Sequence, residues 1–245
     1  FITHYEINYY LNSAFFTQNL KKIYYMNHLE LFSGTHSFGK VSSSLGYNVV
    51  SLDRDLGAEC PLKSGYISAK HFQEDILTWN YKQYPRNHFK LITASPVCMW
   101  WSRCRFSWIG RKLKVHGDTI ITAEILENDI EIFGIPMVDK VFEILDYFNP
   151  EYYIVENPKT GRMKEYISQN IPYYDVDYCM FGLKYKKATR FWTNIKNFKY
   201  NKCNHKKHEF NIGGKGKVLK GGKSNRLHRY KIPENLIKNL LLNVL

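Results

Sequence analysis

Along most of this chain, apolar residues come in short runs bounded by turn formers, and between those runs they recur at helical spacing. The runs at 29–32, 47–52, 89–93, 152–155, 174–178 and 191–195 read as strands. Helical spacing covers 37–45, 119–130, 137–147, 162–168 and, after Pro233 at a helix-starting position, 234–244. Gly134-Ile135-Pro136 is expected to break the two middle helices apart, because proline lacks an N–H and clashes with the preceding turn. Strands alternating with helices predict an α/β fold on a mostly parallel sheet. The stretch 197–228 shows neither period. Its glycines at 213, 214, 216, 221 and 222 stand among lysines and read as a loop-rich insert, not a second core.

Length and charge sharpen this picture. A chain of 245 residues, 44% hydrophobic, is long enough to bury one full core. The formal net charge of +13 is concentrated: Lys184 to Lys231 holds 13 Lys, 3 Arg and a single acid, Glu209. That stretch carries +15, which leaves −2 for everything else. A near-neutral body with one basic segment points to a polyanionic partner. The five cysteines are odd in number and lack the paired spacing of a disulfide framework, so a reducing, intracellular compartment is expected. No window approaches the roughly 18 apolar residues of a membrane span, and no export signal is visible at the start. Neither a membrane nor an obligate protein partner is expected. Met26 stands immediately before the first strand and reads as a natural start, with residues 1–26 as an extension of no assigned role.

Chemistry enters at the strand ends. Leu29 to Thr35 is a strand running into a tight turn before the helix at Ser37, a geometry that aims backbone N–H groups at an anionic ligand. The next strand ends in Ser51-Leu52-Asp53-Arg54-Asp55, which puts a carboxylate where a ribose diol can donate to it. Asp75 follows in Gln73-Glu74-Asp75-Ile76, placed to accept from an adenine amino group. Further on come Ala94-Ser95-Pro96-Val97-Cys98 after one strand and Val155-Glu156-Asn157-Pro158 at the end of another.

Together these segments resemble the DNA (cytosine-5) methyltransferase family, especially its compact viral and phage-like members. LELFSGTHSFGK resembles the cofactor turn, SLDRD the ribose-binding acid, QEDI the adenine contact, ASPVC the nucleophile loop and VENP the general-acid strand. DYCMFGLKYKKATRFWTN resembles the basic strand lining the base pocket, and RYKIPENLIKNLL the closing helix. The matches cover nearly all of 27–244 in the family's order. The resemblance implies a Rossmann-like methyltransferase fold, with a catalytic domain over 27–195, a small basic recognition insert over 196–228 and a closing helix within 229–245. It implies S-adenosylmethionine as cofactor and nucleic acid, double-stranded DNA first, as partner.

The same resemblance assigns roles. Cys98 attacks cytosine C6, because C5 is too weak a nucleophile to take a methyl group unaided. Glu156 donates toward ring N3, in an enclosed pocket of the kind that favours a protonated carboxyl group. Arg190 orients the base. Cofactor contacts fall on Phe32, Ser33, Gly34, Thr35, Ser37, Phe38, Asp53, Arg54, Asp75, Ile76 and Ser95. The segment 99–117, with Trp100, Trp101 and Trp108 among basic residues, resembles the loop that closes over a flipped base. Nucleic-acid contacts are expected at Ser102, Arg103, Arg105, Lys187, Lys215 and Lys217. The short insert predicts a short recognition sequence and salt-dependent affinity.

Two positions depart from the family pattern. Val97 stands where a proline is usual, and His36 where a glycine is common, a side chain unfavourable at φ > 0 and in the way of a cofactor. Cys203, His205 and His208 have metal-compatible spacing without a complete set of four ligands, so no metal is expected, and Cys179 reads as a buried apolar residue. Two rival functions stand beside the first. One is the same chemistry on tRNA, and the other a nucleic-acid-binding relative weakened at Val97 and His36. Amino-group methylation fits less well, since it needs an Asp/Asn-Pro-Pro-aromatic motif where this chain has Ser95-Pro96-Val97-Cys98.

Overall fold

The computed structural model describes residues 26–55, 70–209, 230–242 and 244. Seven strands form one sheet: β1 (Asn27–Leu31), β2 (Asn48–Leu52), β3 (Lys70–Phe72), β4 (Leu91–Ala94), β5 (Tyr152–Pro158), β6 (Tyr173–Asp177) and β7 (Ala188–Thr193). Their spatial order is β3-β2-β1-β4-β5-β7-β6. Strands β3, β2, β1, β4 and β5 pair in parallel, and β7 runs antiparallel to both β5 and β6. This is the Rossmann-like methyltransferase arrangement. The chain leaves β1 toward β2 and β3, then returns to place β4 on the other side of β1. That reversal opens a crevice at the carboxyl ends of β1 and β4, the place where such sheets bind ligands.

Helices α1 (Ser37–Ser44), α2 (Ala123–Asp129), α3 (Ile135–Phe148) and α4 (Glu234–Leu241) complete the framework. The sheet is buried on both faces. Leu29, Leu31, Val155 and Trp192 face a core shared with Val138, Val141, Ile144 and Phe148 of α3. Ile154, Phe191 and Val176 face the other core, closed by Phe38 and Val41 of α1 and Leu236, Ile237 and Leu240 of α4. Apolar spacing along each helix explains which side turns inward.

Strand β1 reads as alternating apolar and polar residues, yet its polar side is also buried. His28 is fully enclosed, its ring nitrogens 2.7 Å from Ser42 Oγ and 2.8 Å from Thr93 Oγ1. It thereby ties β1 to α1 and β4. Burial pushes its pKa down to about 3, so the ring is neutral near pH 7.

Two expectations need correction, and one strand had no counterpart among them. The expected break at Gly134-Ile135-Pro136 is a π turn over Ile130–Gly134 instead, and the backbone stays helical from α2 through α3. A wider turn accommodates the missing proline N–H and the bulk of its ring. The expected helix at 162–168 shrinks to a single 3₁₀ turn, Met163–Glu165, because a segment this short gains few hydrogen bonds against the cost of nucleation. Strand β3 had no visible pattern, since three edge residues are too few to show alternation. Of the expected insert, residues 197–209 are described and contain no helix or strand, while 210–229 and residues 1–25 of the extension lie outside the described residues. Among the described residues no helix is long and apolar enough to cross a membrane.

Candidate active site

Topology brings the chemistry together. Parallel strands end at one edge of the sheet, so the segments after β1, β2, β4, β5 and β6 all emerge there. Because β7 is reversed, its first residues arrive at that same edge, with Thr189 opposite Pro158. Cys98, Glu156, Tyr178 and Lys187 therefore converge, although nearly 90 residues separate the first from the last.

The loop that carries Cys98 is held from beneath. Asn157 Nδ2 donates to the Pro96 carbonyl at 2.9 Å, and Ser95 N donates to the Leu31 carbonyl at 3.3 Å. The chain turns tightly after Cys98, with Trp101 N donating to the Cys98 carbonyl. The Trp101 carbonyl in turn accepts from Arg162 N at 2.8 Å, and its indole is fully buried. Burial pushes the Cys98 thiol above its ordinary range, the neighbouring Glu156 charge adds to that, and Lys187 pulls it back. Glu156 itself is 6% exposed. Its Oε1 accepts from the Tyr178 hydroxyl at 3.1 Å and lies 3.9 Å from Lys187 Nζ. A thiol, a carboxyl group and an ammonium within electrostatic reach of one another form a site suited to covalent addition with proton management.

The turn after β1 is built on left-handed residues, Phe32 at φ 54°, Gly34 at 45° and His36 at 54°. N–H groups of this turn and of the helix start are taken by the protein's own carboxylates instead of an anionic ligand. Glu30 Oε1 accepts from Phe38 N and Gly39 N, both at 3.0 Å, and so closes the N-terminus of α1 from inside the protein. Gly34 N donates to Asp53 Oδ2 at 2.8 Å, and Asp55 N to Asp53 Oδ1. Burial pushes the Asp53 carboxyl up, opposed by those two N–H groups. Arg54 lies 3.7 Å from Asp75, which joins the β2 and β3 ends into one rim. The Ser33 hydroxyl is buried with no partner among the described residues. Carboxylates at the rim and an unsatisfied hydroxyl below suit a hydroxylated, positively charged ligand better than a phosphate. S-adenosylmethionine, a sulfonium bearing a ribose, fits that donor set.

A comparison with curated proteins then decides the family. The chain is 34% identical over 236 residues to the "Probable DNA (cytosine-5)-methyltransferase" of Frog virus 3 (isolate Goorha), covering 88% of this chain and 99% of that protein. This chain belongs to the cytosine-5 methyltransferase family. No model of a known protein family matches it. Among solved structures, Spodoptera frugiperda DNMT2 (an E260A/E261A/K263A mutant) is similar at TM-score 0.43 and 16% identity, over 79% of this chain and 56% of that one. S. pombe Dnmt2 methyltransferase is similar at TM-score 0.42 and 16% identity, over 69% of this chain and 48% of that one. The chain thus spans about half the length of these two structures. Strand order and register by themselves define the fold.

Within this cytosine-5 methyltransferase, several expected site residues lie elsewhere. Cross-strand partners share a face, so Glu156 sides with Phe191 while Arg190 sides with Asn157, on the opposite face of the sheet. Arg190 is also committed. Asp175 accepts from it twice, at 2.7 and 2.9 Å, and the Tyr173 ring lies 3.6 Å from its guanidinium carbon. The cation beside Glu156 is Lys187, expected on the nucleic-acid surface. Arg105, expected there too, is buried, pairs with Asp129 and lies over Trp100 and Trp108. Trp101 is core, and Trp100 stacks on Phe133 at 4.6 Å, so neither indole is presented as a free stacking platform. Arg103 is well exposed and pairs with Glu165, and Ser102 caps the turn after it by accepting from Cys104 N.

Among the expected cofactor contacts, Phe38 and Ile76 are core residues. Ser37 Oγ accepts from Ile232 N, which joins α1 to the approach to α4, and Thr35 Oγ1 lies 2.9 Å from Ser37 Oγ. Lys215 and Lys217 lie outside the described residues. His36 is buried, turned toward Glu30 and edge-on to His71, so the side chain is accommodated inside the fold at its left-handed position. Val97 is 38% exposed. Sequence reasoning missed Glu30, Tyr178 and Asn157. Only Asn157 carried a signal, through its place in Glu156-Asn157-Pro158.

Proposed function

We propose that this chain transfers a methyl group from S-adenosylmethionine to C5 of a cytosine in double-stranded DNA, through a covalent bond between Cys98 and C6. The observation that carries the reading is the convergence of Cys98, Glu156 and Lys187 at the carboxyl edge of the sheet. The name of the Frog virus 3 relative, similar over nearly its whole length, supports DNA as substrate.

Asp53, Asp75 and Ser33 would hold the cofactor, which supplies an electrophilic methyl group on a sulfonium when bound. The Cys98 thiol proton would pass through water to the Glu156 carboxylate, the Lys187 charge favours the thiolate, and the sulfur forms a bond to C6. The C5–C6 π pair shifts toward C5 and the ring, and Glu156 passes a proton to N3 to hold the developing charge. C5 would then take the methyl group, its π pair forming the new bond while the pair of the broken sulfur–methyl bond stays on sulfur as a neutral thioether. Loss of the C5 proton to water re-forms the double bond, expels the Cys98 thiolate and returns the N3 proton to Glu156. Lys187 and Tyr178 keep the Glu156 carboxyl aimed at the ring throughout. The target base must leave the stack to reach these groups. A free thiol nucleophile is compatible with a reducing, intracellular setting.

Incubation with a 5-fluorocytosine duplex and S-adenosylmethionine tests the reading. A stable adduct is expected, because fluorine at C5 cannot leave as a proton, and Cys98→Ala abolishes it. Absence of the adduct on DNA, with tritiated methyl transfer to tRNA, would establish the RNA reading. Absence on both establishes a binding protein.

A further inference from the structure

Cys179 read from sequence as an apolar residue, and Cys203, His205 and His208 as an incomplete ligand set. The structure joins them. Cys179 lies in the 3₁₀ turn Tyr178–Phe181 just after β6, and the segment following β7 folds back across it. The two sulfurs and two ring nitrogens all lie within 4.8 Å of one another. Cys203 Sγ is 3.6 Å from His205 Nδ1 and 3.3 Å from His208 Nε2, and the two imidazoles stand nearly perpendicular at 5.5 Å. A tetrahedral zinc with sulfur at about 2.3 Å and nitrogen at about 2.0 Å has ligand atoms roughly 3.3–3.8 Å apart. The cluster is already close to that size.

We propose that Cys179, Cys203, His205 and His208 bind one zinc ion as a structural site. Two thiolates and two neutral imidazoles cancel the charge of Zn²⁺, so the buried Cys179 end of the site is not left charged. Four protein ligands leave no open position, which makes the site structural and not catalytic. Binding releases the two thiol protons to solvent. Asp177 Oδ2 accepts from Cys203 N at 3.2 Å and orients the loop that carries three of the ligands.

The site's place gives it a purpose. Cys179 follows Tyr178, whose hydroxyl donates to Glu156, and His208 precedes by seven residues the first lysine of the basic run 215–229. One ion would therefore anchor the start of that run to the end of β6, at the edge where Glu156 stands. The basic segment has few apolar residues of its own to anchor it, so a metal supplies the attachment that a core does not.

The test uses the full chain, purified without chelator and dialysed against metal-free buffer. Elemental analysis is expected to find about one zinc per chain. Cys203→Ser and His208→Ala lower that content at least about tenfold, while Cys104→Ser, at an exposed cysteine outside the cluster, leaves it unchanged. Should a variant fail to fold, cobalt added to the zinc-depleted wild-type chain decides. Intense tetrahedral d–d bands with thiolate-to-cobalt charge transfer support the site. Cobalt bands of octahedral type, zinc retained by both ligand variants, or a Cys179–Cys203 disulfide found by mass without reductant would overturn it.

Discussion

At Cys98 the balance between two neighbours sets reactivity, and the signs of their effects differ. Burial and Glu156 raise the thiol pKa, whereas Lys187 lowers it. At pH 8 the substrate-free enzyme therefore carries little thiolate, and alkylation of Cys98 rises with pH beyond that of an ordinary free thiol. Lys187→Gln is expected to slow alkylation severalfold and move the pH profile upward. Glu156→Gln moves it downward and speeds alkylation, while on the proposed mechanism it depresses methyl transfer, because an amide cannot pass a proton to N3. Site-resolved mass spectrometry of iodoacetamide labelling checks both signs, and equal effects from the two variants would separate these residues from the nucleophile. His28 supplies a second prediction. Its folded pKa of about 3 lies below the unfolded value of 6.5, so its contribution to stability is complete above pH 6.5 and is lost as pH falls toward 3. One such group contributes up to about 1.4 kcal/mol per pH unit across that window. Urea unfolding of His28→Gln at pH 7 and pH 5 is expected to show lower stability and a shallower pH slope than the wild type.

Among elements, the π turn between α2 and α3 matters to the loop that carries Cys98. A Cβ at Gly134 would lie 2.9 Å from Trp101 Cζ2, and the buried indole has no room to retreat. Trp101 follows Cys98 by three residues and is fastened by its carbonyl to Arg162. Gly134→Ala is therefore expected to destabilise the fold by about 1–3 kcal/mol and to lower kcat by displacing the loop. Adding Trp101→Phe should restore part of the melting temperature, since the smaller ring removes the clash. If Gly134→Ala melts like the wild type, the helix and loop are not packed as tightly as described. The same elements explain why Arg105 was misread. A basic residue between tryptophans resembles a nucleic-acid contact, yet here Asp129 of α2 lies across from it and removes it from the surface.

For the whole molecule, charge is the dominant feature. A body summing to −2 and a stretch carrying +15 attract a polyanion through one region, and counterion release then governs affinity. If six or so phosphates are contacted, binding to a duplex should weaken on the order of 10³-fold between 50 and 200 mM salt. Arg103→Gln removes an exposed cation at the catalytic edge and is expected to reduce the slope of log K against log salt by about one. Fluorescence anisotropy over a salt titration measures it, and a flat titration would exclude phosphate-led binding.

The sequence alone determined the strand and helix alternation, the turn after β1, the acid at the end of β2 and the segments that carry Cys98 and Glu156, because each is a local pattern with its own period or spacing. It also showed where the charge lies. Tertiary structure decided what local pattern does not contain. The reversed strand β7 delivered Lys187, not Arg190, to Glu156, because neighbouring residues on a strand face opposite ways. Burial decided that Arg105, Trp101 and Phe38 are structural, since the fate of a polar or aromatic side chain depends on what packs over it. Chain reversal brought Cys179 to Cys203, two residues whose separation in sequence hides their nearness in space.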